Sequence, residues 1–274
     1  MSPPQWKKIS RWIGLALTSG FVLIIIPSCL PEGNSLKAES ADISPQFTDF
    51  QPVKIQQLAQ QTTVRILTSA ASGSGVIVGR QEQTYTVLTN WHVVAFSDEY
   101  TIIAPDGVHY PLAKAPTQLG NVDIAIVQFR STANYEVAQT STELVKGEQV
   151  FATGFPMYHK GTLDTTFDLG IQNFQFTKGE ISLLPSKSLS LGYRLGYTNN
   201  IEVGMSGGPI FNRQGLLIGI NGRGKYRDPD FGVYMFEDGT EPPPALLKQM
   251  VRSSWGIPVS IYLQFLSLHQ SNES

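Results

Sequence analysis

The feature that most constrains the fold is the run Gly204-Met205-Ser206-Gly207-Gly208-Pro209, which lies just before the apolar pair Ile210-Phe211. The two glycines after Ser206 have no side chains, so a bulky molecule can approach the serine hydroxyl. Gly204 lacks the Cβ that would restrict a tight turn, so its N–H can lie parallel to the N–H of Ser206. The run therefore predicts an accessible hydroxyl beside two backbone donors, which together would form an oxyanion hole.

A protonated serine hydroxyl is a weak nucleophile, so chemistry at Ser206 requires a base. Of the four histidines, only His92 lies in an apolar, strand-like setting, Leu88-Thr89-Asn90-Trp91-His92-Val93-Val94. Asp123 opens the apolar run Asp123-Ile124-Ala125-Ile126-Val127, where a carboxylate in a low-dielectric segment would orient the imidazole. Each feature also has a plainer interpretation, since the glycine-serine run can be a simple turn and the histidine a core residue.

Three separate segments, residues 89–94, 121–125 and 204–209, carry these candidates in the order histidine, aspartate, serine. With them the chain resembles the trypsin-like serine proteases of chymotrypsin fold, and most of all the protease domain of the bacterial high-temperature-requirement proteases. The resemblance implies an all-β fold of two six-stranded antiparallel Greek-key β-barrels with a C-terminal helix. It also implies a catalytic triad of His92, Asp123 and Ser206, an acyl-enzyme intermediate, and neither cofactor nor metal.

The resemblance extends to a substrate pocket. By the family's spacing, Asn200 would form the base of the pocket, with Asn221 and Gly222 on the opposite wall. A neutral Asn200 cannot pair with a substrate Arg or Lys, so a trypsin-like preference is not expected. Met205 stands where trypsin-like proenzymes have an aspartate, and a thioether cannot pair with a new amino terminus. Activation by insertion of the N-terminus is therefore not expected.

Composition, strand patterns and the resemblance together divide the chain into five regions. The first, residues 1–38, has three basic residues before an apolar stretch and is typical of a signal peptide or an N-terminal anchor. The other regions are a linker with a short capping helix at 39–61, a first barrel at 62–135, a second barrel at 136–240 and a helical segment at 241–274. The helix is predicted over residues 53–61, and a strand over 231–236 is predicted to close the second barrel.

Cys29, the only cysteine, lies in a segment that resembles the lipoprotein cysteine box. Three hypotheses are open: acylation at Cys29, a soluble product cut near residues 36–38, and an uncleaved anchor. All three predict an exported domain, periplasmic or extracellular, in which only the N-terminal segment or a lipid at Cys29 contacts a membrane.

The favoured hypothesis is a serine endopeptidase acting on polypeptides, specifically exported or cell-envelope proteins. The net charge of −2 offers no basic surface, so nucleic acid is not an expected partner. A catalytically silent barrel that binds peptides or a partner in the same cleft is the alternative. An esterase would use a Gly-x-Ser-x-Gly elbow with helices between strands, which this strand-rich pattern disfavours. The second barrel and its helix account for the residues after Ser206, so no PDZ module is expected.

Overall fold

The structure is a computed structural model that describes residues 52–69 and 71–270. The predictions made for the N-terminal signal or anchor and for Cys29 lie outside these residues. The described chain begins with helix α1 (Pro52–Thr62), which confirms the helix predicted over 53–61. Ile55 and Ala59 lie four residues apart on one face of α1 and are fully buried, so the helix packs this face onto the β-structure that follows.

The first sheet consists of seven antiparallel strands. They are β1 (Thr63–Thr68), β2 (Ser72–Gln81), β3 (Thr84–Thr89), β4 (Tyr100–Ile103), β5 (His109–Pro111), β6 (Thr117–Gln118) and β7 (Ala125–Arg130). Their order across the sheet is β5-β4-β1-β2-β3-β7-β6. Val64 and Ile66 of β1 alternate along one face and pack with Val127 and Phe129 of β7, as the period of two in a strand requires. A one-turn helix, α2 (Trp91–Val94), follows β3.

The second sheet is a closed barrel of six strands. They are β8 (Gln149–Gly154), β9 (Gln175–Leu183), β10 (Leu195–Tyr197), β11 (Pro209–Asn212), β12 (Leu217–Arg223) and β13 (Ser254–Pro258). The closed order is β10-β13-β12-β11-β8-β9. Three short 3₁₀ helices, Phe167–Asn173, Ser190–Gly192 and Pro229–Phe231, lie in its connections, and α3 (Pro244–Val251) and α4 (Ser260–Gln270) flank β13.

One predicted strand is wrong. Residues 231–236 do not close the barrel; that place is taken by β13, which lies inside the region predicted to be helical. The reason is local turn chemistry: Pro229 begins a 3₁₀ turn, the Asp228 side chain accepts a hydrogen bond from the backbone of Asp230, and Gly232 ends the turn with a φ of +67°. These turns therefore break the strand predicted over 231–236.

The all-β class and the C-terminal helix are confirmed. The second unit is the six-stranded barrel that was expected, whereas the first is a curled sheet of seven strands with β5 and β6 at its two ends. These end strands are very short, and Pro111 in β5 has no N–H to donate to a further ladder. None of the helices within residues 52–69 and 71–270 is both long and apolar enough to span a membrane.

Buried polar contacts join the two sheets. The hydroxyls of Thr63 in β1 and Thr153 in β8 are 3.1 Å apart. The guanidinium of Arg65, on the same strand β1, is 0% exposed and donates to the carbonyl oxygens of Thr166 and Gly170, both at 2.8 Å. We call this boundary the sheet junction, and the candidate site lies along it.

Candidate active site

His92 and Asp123 meet at one edge of the first sheet. Strands β3 and β7 pair antiparallel with Thr89 opposite Ala125, so the residues just beyond these ends lie side by side. The Nδ1 atom of His92 is 2.7 Å from Oδ2 of Asp123, and the backbone N–H of His92 donates to Oδ1 at 2.8 Å. Both carboxylate oxygens therefore bind the same residue, which fixes the orientation of the imidazole ring.

Two further residues hold Asp123. The Asn90 side chain donates to the backbone carbonyl of Asp123 at 2.8 Å, and the Tyr193 hydroxyl donates to Oδ2. The Asp123 side chain is 7% exposed, and this burial acts to raise its pKa. Hydrogen bonds from His92 and then Tyr193 outweigh burial and hold the pKa of Asp123 below its ordinary value, so the carboxylate is ionised at neutral pH. The His92 side chain is 44% exposed, so the ring is open on its other side.

Glycines shape the Ser206 loop. Gly204 has a φ of +96° and Gly207 a φ of +85°, in the left-handed region that side chains disfavour. A Cβ at Gly204 would lie 2.5 Å from the carbonyl oxygen of Phe155 and would press against the backbone nitrogen of Met157. Among the hydrogen bonds of residues 52–69 and 71–270, none is donated by the backbone N–H of Gly204 or of Ser206. Neither of the two predicted oxyanion-hole donors therefore has an acceptor among these residues.

Ser74, on β2 of the first sheet, fixes this loop in place. Its hydroxyl is fully buried, donates to the carbonyl oxygen of Gly204 at 2.8 Å and accepts from the backbone of Phe155 at 2.9 Å. Its backbone N–H donates to the carbonyl oxygen of Ser206 at 2.8 Å. The nucleophile candidate is thus anchored across the sheet junction by backbone groups.

The Ser206 side chain has a different partner from the one expected. Its hydroxyl donates to the carbonyl oxygen of Gly222 at 3.2 Å, and no hydrogen bond joins it to His92 in the described part of the chain. The neighbouring Gly207 packs against Thr89 and Asn90, since an added Cβ would lie 3.0 Å from the Asn90 nitrogen. The Ser206 loop therefore adjoins the segment that leads into α2, while its hydroxyl faces β12.

The three predicted pocket residues have different surroundings. Asn200 is exposed, and its Oδ1 accepts from the Lys225 ammonium at 2.9 Å. Gly222 supplies the carbonyl that receives the Ser206 hydroxyl. Asn221 is fully buried; its amide donates to the carbonyl of Thr153 at 2.7 Å, and its Oδ1 accepts from the Tyr197 hydroxyl at 2.8 Å. Asn221 thus braces the site from behind.

Sequence reasoning missed three residues that shape the site, namely Tyr193, Ser74 and Arg65. Tyr193 lies in a segment with no motif of its own. Ser74 lies between two glycines, a pattern that by itself indicates a bend in a strand. Arg65 offered the clearest signal, because a charged residue in the middle of an apolar strand must find several acceptors if both faces of the sheet are covered. No group of three or more metal-ligating side chains was found among the described residues.

A model of the trypsin-like peptidase domain family matches residues 73–220 of the chain. The Do-like serine protease HtrA of Bacillus subtilis is 28% identical over 205 residues, which are 67% of this chain and 43% of that protein. A probable periplasmic serine endoprotease, DegP-like, of Ectopseudomonas mendocina is 31% identical over 180 residues, 65% of this chain and 35% of that protein. The chain therefore spans less than half the length of these curated relatives.

Among solved structures, one similar fold is the inactive form of a serine-to-alanine mutant of Rv3671c from M. tuberculosis H37Rv. The TM-score is 0.53 at 17% identity, and the match covers 80% of this chain and 92% of that one. At this identity the likeness concerns the fold alone.

Proposed function

The chain belongs to the trypsin-like peptidase domain family, and on that premise we propose that it is a serine endopeptidase. In this proposal Ser206 is the nucleophile, His92 the general base, and Asp123 the residue that orients His92. The observation that carries the proposal is the contact between an ionised, nearly buried Asp123 and Nδ1 of His92. Because that contact occupies Nδ1, only Nε2 is left to take a proton from a serine hydroxyl.

The reaction then proceeds through an acyl-enzyme. The Ser206 hydroxyl turns from Gly222 to His92, and its oxygen forms a bond to the carbonyl carbon of the substrate while Nε2 takes its proton. Collapse of the tetrahedral intermediate breaks the C–N bond, and His92 gives the proton to the leaving amine. Water then attacks the ester in the same way and restores the free hydroxyl.

The backbone donors of Gly204 and Ser206 are proposed to bind the developing oxyanion. They suit this role because neither N–H group has a partner among the described residues, and because Gly204 and Gly207 give the loop left-handed backbone conformations that favour glycine. A donor of this kind lowers the barrier by about 3 to 4 kcal/mol in comparable enzymes. It does so without rearrangement during the reaction, since Ser74 already fixes the Gly204 carbonyl.

We also propose that substrate contacts come from Asn200 and the backbone of Gly222, with Lys225 beside Asn200. The Asn221 side chain supports this wall, because its hydrogen bonds to Thr153 and Tyr197 leave it no group for a substrate. The substrates proposed are polypeptides of the exported or cell-envelope compartment. The export pattern of residues 1–38 and the similarity to a probable periplasmic serine endoprotease support that location.

One observation favours a second candidate, a catalytically silent barrel that binds peptides in the same cleft. The Ser206 hydroxyl is hydrogen-bonded to Gly222 and not to His92, which is the arrangement of a resting or inactive site. Loose or absent catalytic hydrogen bonds are common in unliganded proteases, so this geometry is also compatible with the enzyme.

Labelling by a fluorophosphonate separates the two candidates. The purified protein is treated with the probe and, separately, with unfolded casein, next to Ser206→Ala and the exposed control Ser186→Ala. We expect wild type and Ser186→Ala to be labelled and to cleave casein, and Ser206→Ala to lose at least about 10⁴-fold in cleavage rate. Unlabelled wild-type protein that still binds casein would instead establish the binding module.

A further inference from the structure

Tyr193 makes a contact at the site that no part of the proposed triad explains. Its hydroxyl donates to Oδ2 of Asp123, the same oxygen that lies 2.7 Å from Nδ1 of His92. Tyr193 is 1% exposed and leads into β10 of the barrel, whereas Asp123 and His92 belong to the first sheet. The hydroxyl therefore reaches Asp123 across the sheet junction.

The backbone before Tyr193 is bent to make this contact. Leu191 and Gly192 have φ values of +68° and +86°, in the left-handed region that a side chain such as leucine disfavours. In this conformation the carbonyl oxygen of Leu191 accepts from the backbone N–H of Asp123 at 3.0 Å, and Gly192 lies against Val122. Persistence of a strained segment that contacts Asp123 and its neighbour Val122 indicates that the surrounding structure fixes the position of this segment.

The Tyr193 ring is fixed as well. The Arg223 guanidinium lies over it at 3.9 Å from the ring centroid and donates to the carbonyl oxygens of Val233 and, at 3.3 Å, Ser190. The ring edge touches the Cα of Gly222, since a Cβ there would lie 2.7 Å from Cζ of Tyr193. Tyr193 thus contacts the acid of the proposed triad and also the residue whose carbonyl holds the Ser206 hydroxyl.

Towards the Asp123 carboxylate, the Tyr193 hydroxyl is the donor. Burial, and then the charge of Asp123, raises the pKa of Tyr193 well above its ordinary value, so the phenol keeps its proton. The charged groups around this hydroxyl are Asp123, the His92 ring on the same oxygen, and the cations Arg223 and Arg227. A neutral donor on Oδ2 draws electron density from the carboxylate and limits how strongly it stabilises a protonated His92.

We propose that Tyr193, held in place by Arg223, is a positioning residue. It keeps the Asp123 carboxylate against Nδ1 of His92 and limits how strongly that carboxylate stabilises a protonated His92. The proposal rests on the proposed serine endopeptidase function. His92 and Asp123 both lie at the edge of the first sheet. In this proposal the barrel contributes to their orientation through Tyr193.

The test is Tyr193→Phe in the full chain, which retains the ring under Arg223 and removes one hydroxyl. We expect kcat for a peptide substrate to fall about 10-fold with KM within about 2-fold, as for loss of an interaction that matters in the transition state. We also expect the acidic limb of the kcat/KM profile to move to higher pH. Without the Tyr193 donor, the Asp123 carboxylate keeps more of its negative charge and stabilises the His92 imidazolium more strongly. Replacing Tyr193 with 3-fluorotyrosine, a stronger donor, should move the limb to lower pH.

Tyr85→Phe is the matched control, because Tyr85 is also fully buried and its hydroxyl also donates, to the carbonyl of Ala133 at 2.7 Å. It should lower stability without changing kcat or the pH profile. If Tyr193→Phe and the 3-fluorotyrosine protein behave as Tyr85→Phe does, Tyr193 only packs and the proposal is overturned.

A measurement independent of turnover separates this proposal from the proposed function. In ¹⁵N-histidine NMR, the Nδ1–H proton of His92, assigned with His92→Ala, should resonate far downfield and shift in Tyr193→Phe. Such a shift in a protein that no fluorophosphonate labels would support the positioning role and refute the endopeptidase. An unchanged Nδ1–H resonance would overturn the positioning role even in an active enzyme.

Discussion

The two halves of the candidate site are built by different means. In the half that contains His92 and Asp123, polar side chains converge, and both carboxylate oxygens are bound. In the half that contains Ser206, the backbone provides the functional groups: Gly204 and Gly207 take left-handed conformations, and two N–H groups have no partner among the described residues. The carboxylate of the first half is held by donors, whereas the donors of the second half are available.

Because of this difference, the two halves should be sensitive to opposite kinds of substitution. The acid–base half is sensitive to deletion, because removing a donor leaves a buried carboxylate without its partner. The nucleophile half is sensitive to addition, because any side chain at its glycines meets backbone atoms. Substitutions can therefore be chosen to damage one half while leaving the other intact.

Among substitutions that leave all three triad candidates in place, Gly204→Ala should have the largest effect. The new methyl group would meet the Phe155 carbonyl and the Met157 nitrogen, so the loop must change conformation and withdraw at least one oxyanion donor. We expect kcat/KM to fall by about 10² to 10³-fold. The His92–Asp123 contact should persist, which the Nδ1–H resonance of His92 reports.

Gly147→Ala is the matched control for that prediction. Gly147 has a φ of +83° and open space where a Cβ would lie. An alanine there therefore suffers the same backbone strain as one at position 204, but without a clash. It should lower the free energy of unfolding by about 1 kcal/mol and leave kcat/KM unchanged. Equal activities for the two variants would show that the Gly204 conformation is not what keeps the loop competent.

Arg65→Met should have the next largest effect, and it acts at the sheet junction. The substitution removes the donors for Thr166, Gly170 and the Ser72 hydroxyl, and Thr166 and Ser72 are buried. Unpaired buried acceptors of this kind lower the free energy of unfolding by about 3 kcal/mol in total. Arg80→Met at an exposed arginine should change it by less than about 0.5 kcal/mol, as measured by urea denaturation.

The same substitution should weaken the nucleophile half in particular. Thr166 donates to the carbonyls of Pro156, at 2.6 Å, and Met157, at 3.0 Å, and Met157 in turn donates to the carbonyl of Val203 at 2.7 Å, next to Gly204. Loosening Thr166 should therefore reduce kcat several-fold while the Nδ1–H resonance of His92 stays in place. A change confined to that resonance would contradict the route through Met157.

The nucleophile half was the more predictable of the two. Its design is local: a serine between glycines can be recognised in six consecutive residues, and the all-β fold followed from the resemblance of three such segments. The strand assigned to 231–236 failed because Pro229 and Gly232 impose turns, which outweigh the aromatic content of the segment.

The acid–base half was predictable only in part. His92 and Asp123 stand in recognisable segments, but the Tyr193 hydroxyl comes from 70 residues further along the chain. In the nucleophile half the contact of Ser74 with Gly204, over 130 residues, was equally beyond prediction. Contacts at such separations depend on how the barrel docks onto the first sheet, and no local pattern encodes that. The Ser206 hydroxyl points to Gly222 because of the rotamer that this side chain adopts, and the sequence does not indicate which rotamer that is.

The smallest effect expected is on the pH dependence of stability, where the two halves should again differ. Folding holds the pKa of Asp123 below its ordinary value near 3.8, so its ionised form stabilises the fold above that value and the contribution is lost as pH falls through the lowered pKa. Asp123→Asn cannot ionise. The difference in urea midpoint between wild type and Asp123→Asn should therefore stay constant above about pH 5 and shrink as pH falls below 3.8. The difference between wild type and Ser206→Ala should stay constant, because no proton binds at that serine. A wild-type advantage over Asp123→Asn that grows as pH falls would mean that burial, which raises the pKa of Asp123, outweighs its hydrogen bonds to His92 and Tyr193, and an unchanged advantage would mean that the two cancel.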